Sequence, residues 1–183
     1  MRRPAESSRD STPNQWRTDF EQRLDALRNR PALAASTGRV QVTAAYGVAC
    51  DVDLGDRSLR VDLPRDACGT GSGPHPGQLM RASLGACLVM GYELWAARLG
   101  VALHGVELEL TCEYDERGQL GIEAATPIGW QRIRWSVTLL SDAPEPELMH
   151  VVETTHRLSP MLANLSHDIE RTFEVRIRRS CET

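Results

Sequence analysis

Five cysteines are spread through the chain, at Cys50, Cys68, Cys87, Cys112 and Cys181. Their odd number, the absence of a C-x-x-C pair and the lack of histidines at ligand spacing argue against a disulfide framework or a zinc site. What remains is thiol chemistry, and one residue stands apart. Cys87 lies inside GPHPGQLMRASLGACLVMGYELWAARLG, residues 73–100, a run almost without charge. A cysteine there is either a packed core residue or a nucleophile, because burial favours the protonated thiol over the reactive thiolate. The pattern of residues leaves both open. The preceding loop, PRDACGTGSGPHPG, carries a Gly-x-Gly-x-Gly run. No Lys-Ser/Thr follows and the spacing is wrong for a phosphate cradle, so it reads as a connector. No metal and no cofactor are expected.

The element that must carry Cys87 is a helix from about Gln78 to Leu99, stopped by Gly100. Met80, Leu84, Leu88, Met90, Leu94 and Trp95 cover more than half of its circumference, and Arg81 is the only charge between Gln78 and Tyr92. A helix that is apolar nearly all round is buried on several sides. Ala82, Ser83, Gly85, Ala86 and Gly91 would let another backbone approach closely. In so small a domain, its own sheet plus a second copy of the chain would supply that enclosure, which predicts a homodimer.

Strand-like segments flank this helix. RVQVTAAYGVACDVDL and SLRVDL, broken at the turn GDRS, predict two or three antiparallel strands. After the helix, GVELELTCEYD, GQLGIEAAT and WQRIRWSVTLL read as strands; Val106, Leu108, Leu110 and Cys112 share one face of the first. SDAPEPELMHVVETTHRL predicts a helix capped by Ser141 or Asp142 and ended by Pro160, and FEVRIRR a last strand. This order predicts an α+β domain. Residues 1–11 read as a disordered tail, 12–35 as an amphipathic helical extension, and 36–183 as the domain. Thr12 is the expected cap, with Pro13 at the first position and Gln15 completing the capping pattern; Trp16, Phe20, Leu24 and Leu27 share a face, and Pro31 ends the helix.

The 183 residues are 41% hydrophobic and 25% charged, and the net charge of −4 gives no basic face for nucleic acid. All 21 basic residues are arginine. No apolar run is long enough to span a bilayer, and no apolar stretch follows the basic start to make a signal peptide. A soluble protein of a reducing cytoplasm is expected, with neither nucleic-acid nor membrane partners.

GSGPHPGQLMRASLGACLVMGYELWAARLGV resembles the signature of the OsmC/Ohr family of thiol-dependent hydroperoxide reductases. The likeness continues through LHGVELELTCEYDERGQLG, GWQRIRWSVTL, THRLSPMLANL and the final strand, from about residue 38 to 178. The resemblance implies an intertwined homodimer, with antiparallel sheets wrapped around a long central helix. It also implies a peroxidatic cysteine that becomes a sulfenic acid, and a second cysteine before a proline that resolves it. An arginine from the N-terminal hairpin and a glutamate early in the central helix favour the thiolate in that family.

Carried over by position, Cys87 is the peroxidatic residue, and Ser159, in LSPM, stands at the resolving position. Gly77 stands where the glutamate belongs, beside the neutral Gln78. The hairpin TAAYGVACD has no arginine, although Arg39 precedes it and Arg57 and Arg60 follow. His156 and His75 are candidates to replace the lost polar groups, and Cys68 is an alternative second thiol; the unpaired or surface reading stands beside each. Two functions follow. One is a one-cysteine thiol peroxidase acting on a small apolar hydroperoxide with an external thiol reductant, its pocket lined by Met80, Leu84, Leu88, Met90, His156 and Met161. The other is a catalytically degenerate scaffold that binds a lipid-like apolar ligand at the dimer interface. A third use, with the N-terminal helix as a docking element, is also open.

Overall fold

The computed structural model describes residues 13–165 and 167–180. The expected tail at 1–11, the Thr12 cap and Cys181 lie outside the described residues. The elements in order are α1 (Pro13–Asn29), β1 (Gln41–Ala44), β2 (Cys50–Asp53), β3 (Ser58–Val61), α2 (Pro76–Leu99) and β4 (Gly105–Tyr114). They continue with α3 (Glu116–Gln119), β5 (Trp130–Leu140), α4 (Glu145–Leu158), α5 (Pro160–Ala163) and β6 (Glu170–Arg178). These elements make an α+β fold with two three-stranded sheets. The chain forms two compact units, one spanning residues 35–86, the other joining the segment up to Ala34 with everything from Cys87 onward.

In the first unit, β1, β2 and β3 form the antiparallel sheet that the alternating residues predict. The turn after Asp53 is closed by Gly55, whose φ of +98° suits glycine. The glycine-rich segment after β3 is more than a connector. Asp62, 2% exposed, collects the amides of Leu63, Thr70 and Ser72 and the hydroxyls of Thr70 and Ser72. The Thr70 hydroxyl, then the Ser72 amide, hold its carboxyl well below the usual carboxylate range. The loop is tight: a Cβ on Gly69 would lie 1.9 Å from the Leu63 carbonyl oxygen. It leads into α2, which starts at Pro76 rather than Gln78. The Gln78 side chain accepts the His75 N–H at 3.0 Å, a capping arrangement with proline in the first turn.

In the second unit β4 and β5 are antiparallel, but β5 and β6 are parallel. The expectation of purely antiparallel sheets is thus corrected. Parallel neighbours need a long crossover, which α4 and α5 provide. Ile133, Trp135, Val137 and Leu139 of β5 are buried, as are Leu148, Val151 and Val152 of α4. The opposite face of the sheet is charged. Arg132 bridges Glu113 and Glu170, each at 2.8 Å, and Arg134 also pairs with Glu113.

Two further expectations are overturned. GQLGIEAAT is not a strand: Asp115 caps the one-turn α3 by accepting the Arg117 amide, and the chain then folds back on itself. A Cβ on Gly118 would meet the Thr126 and Pro127 carbonyl oxygens at 2.7 Å, so glycine permits that close approach. Helix α4 is capped by neither Ser141 nor Asp142; it opens at Pro144 without a side-chain cap. Ser141 bonds the Ala102 carbonyl and the Ala143 amide instead, and Asp142 takes the Ser180 amide and hydroxyl. Of the face expected on helix α1, Phe20, Leu24 and Leu27 are half-buried, while Trp16 is exposed. Phe20 packs edge-on against Trp95 at 6.2 Å, with the Arg98 guanidinium 4.9 Å from the Trp95 ring and 3.7 Å from Glu21.

Candidate functional site

Cys87 sits on α2, half-buried, with its Sγ 3.5 Å from the Ser159 Oγ. Ser159 is held there by backbone chemistry. Pro160 stops α4 and opens the one-turn α5, and Ser159 caps α5 by accepting the Leu162 amide at 3.2 Å. Arg171 of β6 braces that turn by donating to the Leu162 and Leu165 carbonyls. With the capping bond using serine's acceptor capacity on one side, its O–H can point to the sulfur; towards a thiolate it can only donate.

A second polar pair joins the same helices. The Tyr92 hydroxyl lies 2.7 Å from His156 Nε2. The imidazole also meets Trp135 at 5.4 Å and Phe173 at 4.6 Å between ring centres, both edge-on. Burial pushes the Tyr92 phenol up to about 12, and burial likewise lowers the basicity of His156. Neither partner of this pair was paired with the other by sequence reasoning. The two are 64 residues apart, and no local signal links them.

The remaining predicted residues fall in different settings. Leu84 and Leu88 are fully buried, Met161 is half-buried, and Met80 and Met90 are 46% and 62% exposed. A cavity of about 370 Å³ opens on the charged face of the β4–β5–β6 sheet, among Glu109, Thr111, Arg134, Ser136, Glu174 and Arg176. None of the predicted pocket residues lines it. At Gly77 a Cβ would lie 3.0 Å from the His75 ring and 3.5 Å from Arg81. The hairpin-flanking arginines are engaged elsewhere: Arg60 forks onto Asp51, and Arg57 lies 3.5 Å from Asp56. Cys68 is exposed, in a left-handed conformation at φ +68°. Among the described residues no group of three His, Cys, Asp or Glu is placed to hold a metal ion, and no helix is long and apolar enough to cross a membrane.

A sequence model of OsmC-like proteins matches residues 69–174, which include the loop, α2 with Cys87, and the Ser159 turn. The chain belongs to the OsmC-like family. Solved structures agree on the fold at low identity. An OsmC-like protein from Mycoplasma pneumoniae is 13% identical, with a TM-score of 0.63 over 79% of this chain and 97% of that one. A putative organic hydroperoxide resistance protein from Vibrio cholerae, with captopril bound in one of its active sites, is 19% identical, with a TM-score of 0.57 over 77% and 93%. An organic hydroperoxide resistance protein OsmC from Legionella pneumophila is 17% identical, with a TM-score of 0.57 over 77% and 97%. None of the curated proteins matches the sequence.

Proposed function

We propose that this OsmC-like protein is a one-cysteine thiol peroxidase that reduces organic hydroperoxides. The observation that carries the reading is the Cys87 sulfur beside the Ser159 hydroxyl, in a chain whose structural neighbours include proteins named for organic hydroperoxide resistance. The Cys87 thiolate attacks the outer peroxide oxygen; the S–O bond forms as the O–O bond breaks. The alkoxide takes a proton and leaves as the alcohol, and Cys87 becomes a sulfenic acid. Because the resolving position holds serine, no disulfide forms there. Two external thiols reduce the sulfenic acid, releasing water and their own disulfide. Ser159 donates to the thiolate before the attack and to the sulfenyl oxygen after it.

Further parts of the reading rest on composition and exposure. Met80 and Met90 on α2, and Val40, Val42 and Val48 around the first sheet, are exposed in the single chain, which supports a homodimer that covers them. Cys50, Cys68 and Cys87 are free thiols, and a reducing cytoplasm would supply the small thiols that the cycle consumes. The segment 12–35, which contains α1, is read as an extension, and residues 36–183 as the domain that does the chemistry.

Purified protein should consume cumene hydroperoxide with dithiothreitol, and Cys87→Ser should reduce this to the uncatalysed rate. Ser159→Ala should slow it about tenfold, as expected for the loss of a hydrogen bond to a charged group. Equal rates for the wild type and Cys87→Ser would reject the peroxidase. The second reading, a scaffold that binds a lipid-like ligand without turnover, is favoured by the site of the family's glutamate. There glycine, Gly77, supplies no carboxylate to act on the Cys87 thiol. Native mass spectrometry of the purified protein would then show a co-purifying apolar ligand.

A further inference from the structure

The Cys87–Ser159 contact is one of three between α2 and the segment made of α4 and the corner that follows it. Gly91 faces Thr155 so closely that an added Cβ would lie 2.6 Å from the threonine methyl, and Tyr92 meets His156. Cys87 meets Ser159 just past the end of α4, whereas Gly91 and Tyr92, about one turn further along α2, meet Thr155 and His156, about one turn back along α4, so the two helices run antiparallel along one seam. The Cys87–Ser159 separation of 3.5 Å is an ordinary one for a polar contact to sulfur, and the Tyr92–His156 bond is short at 2.7 Å. A short bond one and a half helical turns from the sulfur, combined with a steric stop at Gly91, sets the register of α4 against α2. That register decides whether the Ser159 hydroxyl meets the sulfur.

We propose that Tyr92 is a positioning residue for Cys87, holding His156 and so the α4–α5 corner in the register that brings Ser159 to the sulfur, and that the bond is a latch released when His156 takes a proton. The role of Cys87 as nucleophile rests on the reading above; the latch itself is read from the reactivity of the thiol alone. Neutral His156 accepts the Tyr92 hydroxyl proton at Nε2. Protonated, both ring nitrogens are donors, so the phenol must turn its O–H away inside a fully buried space. The groups that face the imidazole are Tyr92 from α2, Trp135 from β5 and Phe173 from β6. Of these, Tyr92 alone titrates, and it does so far above neutral pH. Arg171, two residues before Phe173 on β6, is turned to the Leu162 and Leu165 carbonyls. On α4 itself, Glu153 and Arg157 flank His156 in sequence. Desolvation of the ring sets the release below the ordinary histidine range.

The test is the rate of Cys87 alkylation by iodoacetamide from pH 5 to 9, followed by peptide mass spectrometry on the full-length protein, with thermal melts to verify folding. The wild type should show a second inflection on the acid side, beyond the ionisation of a single thiol. Tyr92→Phe should remove that inflection and slow alkylation about fivefold near neutral pH, the loss of one ordinary hydrogen bond. His156→Gln offers an acceptor that does not titrate, so the acid inflection should disappear. A folded Tyr92→Phe with the wild-type profile overturns the latch. If Tyr92→Phe does not fold, a His156→Gln protein that retains the inflection overturns it equally. Peroxide turnover enters neither readout, so an inactive wild type would count against the peroxidase and leave the latch to be judged on alkylation.

Discussion

Asp62 shows how much one side chain can organise. Its carboxylate gathers three amides and two hydroxyls in a segment whose glycines and prolines would otherwise leave the backbone loosely determined. Those donors favour the charged form in the folded state, and the unfolded chain lacks them. An aspartate titrates near 3.9 when unfolded, so the folded protein stays ionised where the unfolded one takes up a proton. The stabilisation is complete above that value and is lost as pH falls below it towards the depressed folded value. Chemical denaturation should therefore show the wild type losing more stability between pH 5 and 3 than Asp62→Asn, whose amide does not titrate. Parallel losses would refute the assignment. Other acids share the fall, including Asp115, held down to about 2 by Arg117, so the comparison of the two slopes is what isolates Asp62. Cys87 was visible in the sequence as a thiol in a helix of few charges. Its serine partner was placed by resemblance, and the Tyr92–His156 bond was not visible at all.

At the scale of elements, the seam between α2 and α4 turns on Gly91. Gly91→Ala gains about 1 kcal/mol of helix propensity, but it drives a Cβ into the Thr155 methyl, and overpacking of this kind costs about 1–3 kcal/mol. The clash should win by about 1 kcal/mol and lower the melting temperature. Thr155→Ser removes that methyl, so the double variant should recover most of the loss, as a double-mutant cycle would measure. Additive losses would mean that the two residues do not meet. Periodic elements were legible from pattern alone, because a buried face repeats along β5 and α2 and a half-buried one along β4. The direction of β6 was not, since alternation is the same for parallel and antiparallel neighbours. The segment 118–126 was misread as a strand because its apolar residues imitate alternation, yet Leu120 and Ile122 are 66% and 69% exposed and the backbone turns around Gly118.

For the whole molecule, the uncovered apolar surface is the main physical problem. Leu84, Leu88, Tyr92 and Ala96 form one buried stripe on α2, while Ala82, Ser83, Ala86 and Met90 remain exposed in the single chain. If a second copy covers that face, sedimentation at micromolar concentration should give twice the monomer mass, and Met90→Glu should shift it towards monomer by burying a charge. A wild type that sediments as a monomer throughout would remove the dimer from the reading. By itself the sequence determined the α+β class, the existence of the Cys87 helix and its stop before Gly100, the faces of β4 and β5, and the family, because these follow from local periodicity and a contiguous motif. Only the tertiary structure decided that β6 lies parallel to β5, that Asp62 knits its loop, and that Ser159 and His156 meet Cys87 and Tyr92 along one seam. Those contacts join residues about 64 to 72 positions apart, where the choice of partner depends on how helices and strands pack.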